Sequence, residues 1–375
     1  MHDAPDRSDL ITLFLAGDVM AGRGIDQILP YPGDAQLYEP VVTSAAEYVA
    51  LAERAHGPIP RPVDFRYVWG DCLEELERQK SDVRLINLET AVTRSAKPAP
   101  KGINYRMTPE NFPVITAAAI DCCSLANNHM LDWGRRGLLD TLDTLTRAGV
   151  RPVGAGRDDR EAAAPTIAPI PGKGRVIVLA FGAPSSGVPL EWSATEHDAG
   201  LNVLRDFSPR SVDRVAEAVR SVKEPGDIVV TSIHWGPNWG YEISPRELKF
   251  ARRLIDEAGV DIVHGHSSHH AKAIEVYRNR LILYGCGDFL NDYEGIEGYD
   301  TFRDDLALMY LPTIRTSDGN LVALTIVPFV MRKFRLNRAA PADAARVCDT
   351  LNREGRQFGT RLQLNADRSL TLVWN

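Results

Sequence analysis

The stretch Val260-Asp261-Ile262-Val263-His264-Gly265-His266-Ser267-Ser268-His269-His270 decides how this chain is read. Val260, Ile262 and Val263 make a short β-branched apolar run, the pattern of a strand covered on both faces. The seven residues that follow carry four imidazoles, and imidazole is the commonest protein ligand for transition metals. The chain has nine histidines in all. Two others, His129 and His234, also stand just beyond apolar runs. A buried strand that ends in metal-ligand chemistry is therefore the unit from which the reading grows.

The same unit recurs outward from this stretch. Residues 10–16, 83–88, 120–126, 176–181, 228–233 and 281–284 read as further buried strands. Amphipathic segments alternate with them. Residues 134–148 carry Leu138, Leu139, Leu142 and Leu145 at helical spacing, with Asp132 expected as the cap. Residues 209–223 follow Ser208 in the same way. Ser244-Pro245-Arg246-Glu247 opens another helix with a capping box, and Gly259 closes it. Strand-helix alternation predicts an α/β fold with helices on the faces of its sheet. Residues 30–66 are rich in Pro, Tyr and Gly and read as an irregular insertion with a short helix near 44–55. Residues 306–314 and 321–327 read as a hairpin, followed by a helix near 342–353 and a last hairpin around Ala366-Asp367. The expectation is a single domain over 1–375. Its core is 10–330, with 331–375 packed on it as an extension.

Bulk properties narrow the function. The 375 residues carry a net charge of -7 and no long basic run, which argues against nucleic-acid or anionic-membrane partners. A local cationic site for a small anionic substrate stays open. The five cysteines are irregularly spaced, without a C-x-x-C, and read as reduced thiols of a cytoplasmic protein. Residues 1–7 are polar, and the apolar run 10–16 is too short for a signal peptide or a membrane span. The chain is expected to be soluble and cytoplasmic.

In open α/β sheets, ligands bind beyond the carboxyl ends of the strands. Those ends carry Asp18, Asn87 and Glu89, Asn127-Asn128-His129, His234, then His264, His266 and His269, and finally Asp288. Mixed nitrogen and oxygen donors suit Mn, Fe or Zn better than Ca or Mg. Asn127 is expected to lock its turn while Asn128 faces the metal. His264 and His270 are expected outside the ligand set, because strand alternation turns neighbours away. Trp235, Asn238, Trp239 and Tyr241 lie in a Gly/Pro-broken loop that reads equally as a cleft wall or as a packed lid.

Taken together, Gly17-Asp18-Val19-Met20-Ala21-Gly22-Arg23, Asn87-Leu88-Glu89, Ala126-Asn127-Asn128-His129-Met130-Leu131-Asp132, His234-Trp235-Gly236 and Gly265-His266-Ser267-Ser268-His269 resemble the poly-gamma-glutamate capsule biosynthesis protein CapA family. That family resembles a branch of the calcineurin-like metallophosphoesterases. The resemblance spans about residues 10–330. It implies a four-layer α/β/β/α sandwich of two mixed sheets, with a dinuclear site of divalent transition metals (Mn, Fe or Zn) at the sheet edge. It further implies Asp18 and His269 as ligands of metal one, Glu89 as the bridging carboxylate, and Asn128, His234 and His266 as ligands of metal two. His129 is the implied acid facing the leaving group, and Arg23 the holder of an anionic group. Asn127, Arg106 and Trp235 are expected beside the substrate. In such a site two ions about 3.5–4 Å apart share a nucleophilic hydroxide, and a protonated imidazole serves the leaving group.

One position departs from the wider superfamily. Met20 stands where Asp-x-His would place an imidazole, and a thioether is a poor ligand for such metals. Metal one is then weak, or is completed by His264, His270 or Asp288, unless Asp288 only braces the site. The reading is a metal-dependent hydrolase, phosphoesterase-like, acting on a small anionic substrate. The alternatives are a soluble accessory of poly-gamma-glutamate or gamma-glutamyl synthesis that engages a carboxylate or amide, and a non-catalytic metal-containing binding protein.

Overall fold

The apolar runs fold as strands whose side chains are divided between two layers. A strand sends alternate side chains to opposite faces. On Leu10–Val19, Ile11, Leu13 and Leu15 face one way, while Phe14 and Ala16 face the other. On Gly174–Gly182, Val176, Val178 and Ala180 separate from Ile177, Leu179 and Phe181 in the same manner. The computed structural model describes residues 9–296, 298 and 301–374. The polar segment 1–7 lies outside the described residues.

Two mixed sheets result. The ten-stranded sheet runs Thr360–Leu364, Leu370–Trp374, Leu321–Arg332, Leu306–Arg315, Leu10–Val19, Val83–Leu88, Cys122–Ser124, Arg151–Val153. Asp288–Leu290 pairs with the end of Leu10–Val19, and Arg335–Arg338 with Leu321–Arg332. The six-stranded sheet runs Ile274–Tyr277, Arg280–Leu283, Ile262–His266, Ile228–His234, Gly174–Gly182, Thr166–Ile170.

Three apolar layers hold the stack together. Ile11, Leu13, Leu15, Val83 and Leu85 of the larger sheet meet Val176, Val178, Val230, Ile262 and Leu281 of the smaller one. Behind the larger sheet lie the helices Ala45–His56, Cys72–Gln79 and Gly134–Arg147. Behind the smaller sheet lie Pro209–Arg220 and Pro245–Ala258. This is the four-layer α/β/β/α sandwich. Truncating a side chain of the central layer, such as Leu13→Ala, costs about 2–5 kcal/mol. The C-terminal helix Pro341–Gly355 adds Val347, Cys348 and Leu351 to that layer.

The helix signals fare unevenly. Ser244 and Glu247 form the expected capping box, and Gly259 ends the helix in a left-handed conformation. Asp132 does not cap Gly134–Arg147, which starts after Trp133 without a side-chain cap. All five cysteines are buried and free. Among the described residues no helix is long and apolar enough to cross a membrane.

Leu10–Val19, Val83–Leu88 and Cys122–Ser124 run parallel, as do Gly174–Gly182, Ile228–His234 and Ile262–His266. Their carboxyl ends gather at one edge of the sandwich, where the sheets face each other.

Candidate metal centre

The carboxylate side is built on close backbone approach. A Cβ on Gly17 would lie 1.9 Å from Gly287 O, so only glycine lets these chains meet. The Asp18 N–H then donates to Gly287 O at 3.1 Å. Asp18 Oδ1 accepts from Asn87 Nδ2 at 2.8 Å, and Oδ2 from the Ser267 N–H at 3.3 Å. Ser267 itself is held at φ 102°, a strained conformation of the kind that gathers at functional sites.

The imidazole side comes from two strand ends in register, His234 opposite His266. A hydrogen-bond relay fixes their tautomers. His264 Nε2 lies 3.0 Å from Ala16 O, which can only accept, so this nitrogen carries the proton. A neutral imidazole has one N–H, so His264 Nδ1 accepts from Ser232 Oγ at 3.1 Å. The Ser232 oxygen then accepts from His266 Nε2 at 2.9 Å. His234 Nε2 lies 3.0 Å from Asn128 Oδ1 and donates to it. Both remaining nitrogens, His234 Nδ1 and His266 Nδ1, therefore carry lone pairs, yet they face each other at 2.9 Å. Asp18 Oδ1 lies 4.0 and 3.7 Å from them.

This convergence is the test of whether a metal fits. Two lone pairs and a carboxylate repel one another unless a cation stands among them. Donors bonded at about 2.0–2.2 Å to one ion lie roughly 3–3.5 Å apart, close to the spacing seen. Burial pushes the pKa of His234 and His266 well down, so both are neutral, as ligands must be. Burial, and then the neighbouring Asp288, push Asp18 up. Burial and then Asp18 push Glu89 well up. The donor set suits a divalent ion on chemistry and on charge. A second group, Asp18 with His269 and Asp288, also has its donor atoms within 4.8 Å of one another. Asp18 belongs to both groups. Glu89 stands opposite, with Oε1 3.8 Å from His234 Nε2 and 3.8 Å from His129 Nε2.

His129 sits on a polar brace. Its Nδ1 lies 2.7 Å from Asp132 Oδ2, and the Tyr105 ring stacks on it at 3.7 Å. Burial, then Lys101 and Arg23, hold its pKa well below the usual histidine range. Burial pushes Asp132 up to about 7 against the pull of Lys101. Lys101 Nζ donates to Asp132 Oδ1 at 2.8 Å and to Asn128 O at 2.5 Å.

Asp18, Glu89, Asn128, His129, His234, His266 and His269 all stand at this edge. Other expected residues are engaged by the protein itself. Arg23 is buried and bidentate on Asp292, with Glu39 Oε1 at 2.9 Å. These two carboxylates balance its charge within the protein, beside the Tyr105 ring that stacks on His129. Trp235 packs in the helix-covered layer and donates to Tyr284 O at 3.0 Å. Arg106 is held by Ser95 O and Asp34 O over the Trp133 ring. Asn127 spends its amide on Asn87, Leu88 O and the His129 N–H, locking the turn as expected. His264 is set aside from the ligands for a reason other than alternation. It shares a strand face with His266, two residues on, but both its nitrogens are already bonded. Burial lowers its pKa to about 4.

Sequence reasoning missed Lys101, the Asp132 brace and the Ser232 relay. It had placed Asp132 in the motif yet read it as a helix cap. It also missed that Asn238 from the loop after His234 sets its amide 3.0 Å from His269 Nε2.

Residues 12–293 match the model of a family described as the bacterial capsule synthesis protein PGA_cap. A Mycobacterium tuberculosis protein named "Probable polyglutamine synthesis accessory protein" is 47% identical over 97% of this chain and 96% of its own length. The Bacillus anthracis "Capsule biosynthesis protein CapA" is 25% identical over 86% of this chain and 67% of its own. A solved phosphatase from Mycoplasma pneumoniae overlaps 86% of this chain and 94% of its own with a TM-score of 0.48 and 10% identity.

Proposed function

This chain belongs to the bacterial capsule synthesis protein family, and on that premise we propose that it is a metal-dependent hydrolase acting on a small anionic substrate, a phosphate ester first. The observation that carries this reading is the pair of imidazole lone pairs facing each other at 2.9 Å beside Asp18. Asp18, Asn128, His234, His266 and His269 would hold two divalent transition ions (Mn, Fe or Zn), with Glu89 against them. Ions held there supply Lewis-acid polarisation of a substrate oxygen and activation of water.

The protein's own groups do the rest. Asp132 takes the Nδ1–H of His129 and leaves Nε2 to handle a proton toward the leaving group. Burial first, and then the positive charges of Lys101 and Arg23, keep that ring neutral at rest. An anion entering beside Lys101 would offset that part of the lowering and favour the protonated ring. Lys101 is partly exposed at this edge, and it takes the anion-holding role expected of Arg23. Hydrolysis of an aryl phosphate, measured with Mn, Fe or Zn added and again after chelation, tests the reading. Hydrolysis that needs metal and vanishes in His234→Ala supports it. Hydrolysis that survives chelation contradicts it.

A second reading rests on names carried by relatives, one of them 47% identical. As an accessory of polyglutamate synthesis the same centre would engage a gamma-glutamyl carboxylate or amide. Metal uptake with cleavage of a gamma-glutamyl peptide, and none of the aryl phosphate, would favour it.

A further inference from the structure

Asp18 and His269 alone are a sparse donor set for a second ion, and three nearby side chains are candidates to complete it. Two are already occupied or turned away. His264 has Nε2 on Ala16 O and Nδ1 on Ser232. His270 leaves Nε2 without a hydrogen bond, but its ring is packed against Tyr241 and Phe302 and, among the described residues, it joins neither group of converging donors.

Asp288 is placed differently. The strand Asp288–Leu290 lies parallel to the end of Leu10–Val19, with Asp288 the direct neighbour of Asp18. Gly287, at φ 78°, turns the chain so that this pairing forms. Asp288 is buried, and its carboxylate lies 2.9 Å from His269 Nδ1. Asn291 Nδ2 holds the other oxygen at 3.0 Å. Two like charges on adjacent strands in a buried place are destabilising unless something between them is positive. Asp18, Glu89 and Asp288 bring three carboxylates to this edge. One divalent ion balances two of them, and a second ion offsets the third more fully than His269 and Lys101 do.

We propose that Asp288 is a metal ligand, holding with Asp18 and His269 the ion for which Met20 supplies no donor. This rests on the metal-dependent reading above. His269 enters through Nδ1, because its Nε2 is taken by the Asn238 amide. A ligating histidine donates its other N–H to a polar partner, and an amide serves by presenting its oxygen instead of its nitrogen. Asn238 is therefore the positioning residue that fixes the His269 ring.

The test is metal stoichiometry and Mn(II) electron paramagnetic resonance on chelator-stripped protein reloaded with Mn(II). Wild type is expected to hold about two ions with the spectrum of a coupled pair. Asp288→Leu, which keeps much the same shape and removes both donor oxygens, is expected to hold about one, with the six-line spectrum of an isolated ion. Two coupled ions in Asp288→Leu overturn the assignment of Asp288 alone. No ion in wild type overturns the metal-dependent reading and this one together. Should Asp288→Leu not fold, anomalous diffraction from Mn-loaded wild type decides. An Asp288 oxygen within about 2.0–2.3 Å of an ion supports the proposal, and one beyond about 3.5 Å overturns it.

Discussion

On the six-stranded side of the centre, His234 and His266 are neutral, paired in register and oriented by a relay that ends on Ala16 O. On the ten-stranded side, Asp18, Glu89 and Asp288 crowd three carboxylates together, with His269 in contact with Asp288. The imidazole wall sets two lone pairs face to face, a repulsion that an ion between them relieves. The acidic wall carries desolvated like charges that His269 and Lys101 offset only in part. A shared ion is worth most to the wall that is most strained without it.

The comparison can be broken most violently from the imidazole side. His266→Ala removes a donor and a link in the relay. Aryl phosphate hydrolysis is expected to fall further than the roughly 10–100-fold typical of losing an outer partner, with metal content reduced. Near-normal turnover in that variant would contradict the wall's role. Asp132→Asn addresses proton handling alone. It should lower kcat by roughly 100-fold, the lower end of general acid catalysis, while inductively coupled plasma analysis finds wild-type metal. A parallel fall in metal content would make Asp132 a support of the centre instead.

Ser232→Ala is subtler. It frees the His266 tautomer without touching any donor atom, and metal affinity measured by calorimetric titration should weaken by roughly 10–100-fold. The smallest expected effect lies on the acidic wall. Asp18 has its pKa raised by burial and by Asp288. A carboxyl with a raised folded pKa binds protons more tightly in the native state, so its burden is absent below the unfolded value and grows as pH rises. Metal-free Asp18→Asn should therefore be more stable than metal-free wild type at pH 7, by on the order of 1 kcal/mol, and equal to it near pH 3. With metal present the sign should reverse, since the variant loses a ligand. Urea melts at both pH values, with and without Mn, read all of this.

Much of the layering was legible because period-two alternation in an unbroken apolar run has one physical outcome, a strand covered on both faces. Ile11, Leu13 and Leu15 against Phe14 and Ala16 show it. The convergence of Asp18, Glu89, Asn128, His234, His266 and His269 was legible because each follows such a run. What a charged group does with its charge was not. Arg23 sits where an anion holder belongs, but Asp292 reaches it across 269 positions, and only the fold brings them together. The relay through Ser232 was equally hidden, since nothing in one strand says which hydroxyl faces which imidazole on the next. Trp235 followed its strand into the helix-covered layer because alternation sends the residue after His234 to the other face.

The most direct test of the central claim is the metal content of chelator-stripped wild-type protein after equilibrium dialysis against Mn(II) or Zn(II). About two ions per chain are predicted. None bound at any concentration would mean that the facing imidazoles and the three carboxylates meet for some purpose other than holding metal.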